Sequence, residues 1–179
     1  MKTWANCVSM SRLLFIPVLI YALIHQYYLI SAAILVISAI SDLLDGHLAR
    51  TYGEITKLGM FLDPFADKLL VISATTYFAT QGLVPMWYLL MLFYRDFSLL
   101  SGLIALVWCG REGIVPAKSF GKLSAGLSLS LLFFLCLHRY YSFFALWVVC
   151  LLWGAALFVA ISFVLYSYRW FRLFEGEEG

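Results

Sequence analysis

Polar positions along this chain are few and grouped, and the apolar stretches between them have the length of membrane spans. A helix needs about 20 predominantly apolar residues to cross a bilayer. Six segments meet that demand, at residues 12–26, 27–48, 59–80, 85–109, 120–137 and 140–166. Short polar links such as His25-Gln26 and Gln81-Gly82 separate some of them. No Ser/Gly linker, low-complexity stretch or internal repeat divides the chain, so residues 1–179 are expected to form a single domain. Lys2 precedes an apolar run, as in a signal peptide, but Ser9, Ser11 and Arg12 interrupt it and no A-x-A-like site follows. The pattern predicts an all-α integral membrane protein with six transmembrane helices.

Composition agrees. The chain is 64% hydrophobic and 12% charged, with mean hydropathy +0.93, whereas soluble domains are about 25% charged. A disordered chain, a nucleic-acid-binding arm and an ordinary soluble globule are excluded. Six spans put both termini and two of the loops on one side of the membrane. That side holds nine cations: Lys2, Arg12, Arg50, Lys57, Arg111, Lys118, Lys122, Arg169 and Arg172. The other side holds Arg139, and Lys68 and Arg95 fall near span ends. This bias predicts cytoplasmic N- and C-termini. A short chain without a transit peptide is expected in a bacterial inner membrane. The four cysteines, Cys7, Cys109, Cys136 and Cys150, show no metal-ligand spacing and are expected to be reduced, buried packing residues. His25, His47 and His138 are likewise expected at interfaces or in packing. Aromatic residues near span ends, among them Trp87, Tyr88, Tyr140, Tyr141 and Trp170, read as interfacial belts. The small residues of 124–128 suit close helix contact.

Four of the ten acids change the picture. Asp42 and Asp45 lie in the second span, and Asp63 and Asp67 in the third. An aspartate at a helix centre costs about 2.5–3.5 kcal/mol on insertion scales, so four unpaired ones would cost about as much as a whole domain's stability. Spacings of i, i+3 and i, i+4 put each pair on one helix face. The link at 49–58 is short enough for a helical hairpin that lets the pairs face each other near the cytoplasmic end. Four carboxylates together require cations, and all-oxygen ligation favours Mg²⁺ or Mn²⁺, with enough donors for two ions. Taken singly, an aspartate here also fits a helix cap, a partner for Arg50 or Lys68, or, for Asp45-Gly46, a turn.

Around the pairs, Gly46, Ala49 and Gly59 permit close approach of a ligand or backbone, Arg50 suits forked contact to a phosphate, and Pro64 is expected to loosen its helix. The run from Asp42 to Asp67 resembles the signature D-x2-D-G-x2-A-R-x8-G-x3-D-x3-D of the CDP-alcohol phosphotransferases, with every fixed position matched: Asp42, Asp45, Gly46, Ala49, Arg50, Gly59, Asp63 and Asp67. Asn6-Cys-Val-Ser-Met-Ser-Arg12 resembles that family's entry to the first span.

The resemblance implies transfer of a phosphatidyl or phosphoalcohol group from a CDP-linked donor to a hydroxyl, with release of CMP. It implies Asp42, Asp45 and Asp63 as ligands of one metal ion and Asp42, Asp63 and Asp67 of a second. Asp67 would also be the general base. Asn6, Gly46, Ala49, Arg50, Thr56 and Gly59 would line the donor site, which would open to the cytoplasm. Asp63-Pro64-Phe-Ala-Asp67-Lys68 resembles the form found in phosphatidylglycerophosphate and cardiolipin synthases, as does the Arg95-Asp96 pair. Lys118-Ser-Phe-Gly121-Lys122-Leu123-Ser124 resembles their entry to the fifth span, with Leu123 in place of a polar residue. Arg95, Lys118 and Lys122 would then hold an acceptor phosphate. CDP-diacylglycerol as donor, sn-glycerol 3-phosphate as acceptor and a homodimer among membrane lipids follow as expectations. Phosphatidylglycerol is the alternative acceptor. Lys118 and Lys122 also fit plain cytoplasmic charge, and Arg95 a structural ion pair. A divalent-cation transporter is the alternative of another class. It lacks support from an inverted repeat or from acids on the far side.

Overall fold

The computed structural model describes residues 3–52, 57–108 and 118–175, and the side chains of 14–41, 68–99, 101, 121, 123–165 and 167–168. Six α-helices occupy them: α1 (Thr3–Ile24), α2 (Tyr28–Tyr52), α3 (Lys57–Thr80), α4 (Met86–Trp108), α5 (Lys118–His138) and α6 (Ala145–Glu175). A single 3₁₀ turn, Ser142–Phe144, leads into α6. Each expected segment contains one helix, but several helices overrun their apolar stretch. Helix α1 begins well before residue 12 and α6 runs well past residue 166, and the expected link at 49–58 is shortened as well, since α2 continues to Tyr52 and α3 begins at Lys57. Ala49 and Arg50 are good helix formers with no Gly or Pro among residues 49–52, so the helix propagates past its apolar part. Asp45-Gly46 is helical, which removes the turn reading, and the helical assignment of α3 is unbroken through Pro64.

Among the described residues, the stretch Ser142–Leu165 is long and apolar enough to cross a membrane by itself. Leu14–Ile24, Tyr28–Ser41 and Leu123–His138 are shorter apolar stretches. The exterior is apolar as well, with Leu14, Ile37, Phe93, Leu146, Trp153 and Val164 exposed. An all-helical fold with apolar residues both inside and outside is what a bilayer solvates.

The packing pairs define a grid. Helices α1, α3 and α4 form one layer in that order, and α2, α5 and α6 the other. Across the layers α1 meets α2, α3 meets α5 and α4 meets α6. The central pair α3/α5 is therefore the shared wall of two four-helix squares, one completed by α1 and α2, the other by α4 and α6. One continuous core runs through both, including Leu19, Leu23, Phe78, Leu132, Leu135 and Val159. Buried Ala22, Ala32, Ala74 and Ala155 let helices approach closely.

Bonds at one end fix the helix directions. α1 and α3 both finish in a left-handed cap, at Gln26 (φ 62°) and Gly82 (φ 72°). In the first, Tyr27 N–H donates to the Ala22 carbonyl (2.8 Å) and Gln26 N–H to that of Leu23 (3.0 Å). In the second, Leu83 donates to Phe78 and Gly82 to Ala79, both at 3.0 Å. The Tyr28 and Tyr77 hydroxyls meet at 3.4 Å, the Arg139 guanidinium lies 5.2 Å from the Tyr28 ring centre, and Tyr140 donates to the Gln26 carbonyl at 3.5 Å. The α1–α2 turn, the end of α3 and the α5–α6 turn are thereby tied at one end. The start of α2 and the end of α3 share that end, so the aspartate-bearing portions of both helices run toward the opposite one.

Three packing expectations change. Tyr88 is fully buried rather than interfacial, because its hydroxyl meets the Ser128 hydroxyl at 3.0 Å inside the bundle. Cys136 is buried as expected, whereas Cys150 is exposed on the outer face of α6, where a thiol is apolar enough to lie against lipid. Cys7 and Cys109 lie outside the described side chains. On α5, Ser124 and Ser128 face inward, while Gly126 is exposed with nothing within 4 Å of an added Cβ, so 124–128 is not one continuous packing stripe.

Candidate active site

The aspartate segments are helical throughout, so the sequence spacings become helix registers. Asp42 and Asp45 are one turn apart on α2, and Asp63 and Asp67 one turn apart on α3. At a rise of about 1.5 Å per residue, position 42 stands about 21 Å along α2 from Tyr28, and position 63 about 21 Å along α3 from Tyr77. Those tyrosines meet each other, so the two pairs lie at similar depth. Helices α2 and α3 occupy diagonal corners of the first square, with α1 and α5 at the other two. The side chains of the four aspartates lie outside the described set, as do those of Asn6, Arg50, Lys118 and Lys122, and Thr56 lies outside it altogether. By backbone, Asn6 is in the first turn of α1, Gly46, Ala49 and Arg50 are in the last turns of α2, Gly59 is in the first turn of α3, and Lys118 and Lys122 are in the first turns of α5.

The donor set fits a hard divalent cation. It offers four carboxylates in two helical registers, with no thiol or imidazole among them, which suits Mg²⁺ or Mn²⁺ over zinc. Among the described residues no group of three His, Cys, Asp or Glu side chains forms a metal cluster.

The second square holds a polar core among the described side chains. The Arg95 Nη2 lies 2.9 Å from Asp96 Oδ1, and Lys68 Nζ on α3 lies 3.4 Å from the same oxygen. Arg95 Nη1 donates to the Ser124 hydroxyl on α5 at 2.5 Å, and Ser128 donates to the Ser124 carbonyl at 3.0 Å. Arg95 and Asp96 are 5% and 3% exposed, so neither charge is relieved by solvent and each depends on the other. Arg95 and Tyr88 are long enough to cross the diagonal from α4 to α5, helices that share no direct packing among the described residues. Among the described residues Arg95 Nε finds no hydrogen-bond partner.

The expected acceptor cation Arg95 is thus committed in large part to Asp96 and Ser124, as the structural ion-pair reading anticipated. The contact from Lys68 to Asp96 and the role of Ser124 as acceptor were missed. Their only signal in the sequence was their place inside the two motifs, beside Asp67 and after Lys122.

The family model for CDP-alcohol phosphatidyltransferases matches residues 2–167, and the chain belongs to this family. Over 121 residues it is 36% identical to a Mycobacterium tuberculosis protein named as a cardiolipin synthase, covering 67% of this chain and 57% of that protein. It is 35% identical over 132 residues to the CDP-diacylglycerol–glycerol-3-phosphate 3-phosphatidyltransferase of Aquifex aeolicus, covering 71% and 72%. It is 27% identical over 149 residues to the Bacillus subtilis protein of that name, covering 75% and 76%. The match to the mycobacterial relative therefore spans little more than half of that protein's length.

Proposed function

We propose that the chain is a single-domain, six-span membrane enzyme that transfers the phosphatidyl group of CDP-diacylglycerol to sn-glycerol 3-phosphate, giving phosphatidylglycerophosphate and CMP. The observation that carries this reading is the intact aspartate signature on α2 and α3, in a chain whose matches to the Aquifex and Bacillus phosphatidyltransferases cover 71–76% of each partner. The shorter match to the mycobacterial cardiolipin synthase supports a second reading, with phosphatidylglycerol as acceptor.

Asp42, Asp45, Asp63 and Asp67 would hold two Mg²⁺ or Mn²⁺ ions, which when bound would neutralise the diphosphate and the departing CMP. Asn6, Gly46, Ala49, Arg50, Thr56 and Gly59 would hold the donor. The Asp67 carboxylate takes the proton from the acceptor hydroxyl as that oxygen bonds to the phosphatidyl phosphorus. The phosphorus–oxygen bond to CMP breaks, and CMP leaves with the electron pair. Lys118 and Lys122, with the unpartnered Nε of Arg95, would hold the acceptor phosphate. With both termini and the site on the cytoplasmic side, the lipid donor enters from the bilayer while the acceptor and CMP exchange with water. A homodimer in the cell's inner membrane completes the proposal.

The test is transfer of labelled glycerol 3-phosphate into lipid by the purified chain with CDP-diacylglycerol and Mg²⁺. Label is expected in the lipid phase, mole for mole with CMP released. Lys122→Ala is expected to raise KM for glycerol 3-phosphate about tenfold, the loss of one charge-assisted contact, with little change for the donor. Absence of lipid label overturns the reading, and equal KM effects on both substrates remove the acceptor pocket.

A further inference from the structure

The buried ions of the second square lie beside the candidate site, and apolar residues there would serve stability as well or better. A buried ion pair specifies position, because a helix that rotates or slips leaves a charge without its partner. Asp96 Oδ1 receives both Arg95 Nη2 at 2.9 Å and Lys68 Nζ at 3.4 Å, so one carboxylate on α4 fixes a point on α3. Arg95 extends the link to Ser124 on α5 at 2.5 Å. Both anchored helices belong to the wall shared with the first square. Position 67 is the next residue to Lys68, about 100° round α3 and about 1.5 Å along it, and position 63 is one turn further. A rotation of α3 that broke the Lys68 contact would carry both positions with it.

We infer that Asp96, acting through Lys68, is a positioning residue that sets the rotation of α3 and thereby the placement of Asp63 and Asp67 for divalent-cation binding. This rests on the reading of those two aspartates as metal ligands. Lys68 is a cation beside an anionic site, so charge alone gives it the opposite effect: its removal would strengthen cation binding. Positioning requires that its removal weaken it. Partners outside the ring of direct ligands typically matter by about 10–100-fold in metal affinity.

The test is thermal unfolding of the purified chain in detergent, titrated with Mn²⁺ in the absence of substrates. Wild type is expected to be stabilised as Mn²⁺ rises, and that curve gives an apparent dissociation constant. Lys68→Met, which keeps the apolar stem, is expected to weaken that constant about tenfold. Asp96→Asn, which keeps the shape of the side chain, should weaken it comparably, and the double variant no further, because the two act as one unit. Lys68→Arg, which keeps the charge and the reach to Asp96, should stay near wild type. An unchanged or tighter constant in Lys68→Met overturns the inference, as does strict additivity in the double variant. So does a lowered melting temperature with an unaltered Mn²⁺ response, which would mark a purely structural contact. A wild-type chain with no Mn²⁺ response removes the aspartate reading and the inference together, whereas a normal wild-type response with an unaffected Lys68→Met removes the inference alone.

Discussion

Asp96 on α4 and Asp67 on α3 are both carboxylates, and under the proposed function they do different work. Asp96 meets two cations at one oxygen inside the bundle, a contact that ties α4 to α3. Asp67 stands on α3 one turn after Asp63, in a register that suits ligation and proton transfer. Asp67→Asn keeps the size of the side chain but cannot take a proton. Turnover measured as CMP release is expected to fall by about two to four orders of magnitude, the usual worth of a general base, while the protein still folds. A variant with near-normal turnover would remove Asp67 as the base. The sequence made the four aspartates conspicuous because acids are costly in an apolar chain. It did not reveal that Ser124 accepts from Arg95, since a serine in a helix of small residues carries no such signature by itself.

At the scale of the element, six helices were legible because each contains an apolar run set off by polar links, although among the described residues only Ser142–Leu165 has the length and apolarity of a span by itself. Their ends were not, because helix propensity carries the backbone past the apolar run, as at Ala49–Tyr52 of α2. The far ends of α1 and α3 use the same left-handed cap with different residues, Gln26 and Gly82. A side chain in that conformation costs about 1–2 kcal/mol that glycine avoids. Gln26→Gly is therefore expected to raise the melting temperature and Gly82→Ala to lower it, each by an amount corresponding to about 1 kcal/mol, read by thermal unfolding in detergent. Opposite signs are the informative feature, because a general effect of altering either turn would move both in one direction. The neighbour relations of the helices were also hidden. A helix that is apolar all round gives no stripe from which to read its partners, so the α2/α3 hairpin expected from the short link did not reveal that the two helices lie on a diagonal of a square.

In the whole molecule, the two squares share the α3/α5 wall. One contains α2 and α3 with the aspartate signature; the other contains the ion pair and the Tyr88–Ser128 bond that span from α4 to α5. The aromatic clasp around Tyr28, Tyr77 and Arg139 closes the opposite end, about 21 Å along α2 and α3 from positions 42 and 63. The chain belongs to the CDP-alcohol phosphatidyltransferase family, and the two proposed readings share a CDP-linked donor and differ in the acceptor. The decisive measurement is CMP release by the purified chain from CDP-diacylglycerol and Mg²⁺, run side by side with glycerol 3-phosphate and with phosphatidylglycerol. The account predicts release that depends on glycerol 3-phosphate and is absent with phosphatidylglycerol alone. Release with phosphatidylglycerol and none with glycerol 3-phosphate would contradict it and make the chain a cardiolipin synthase.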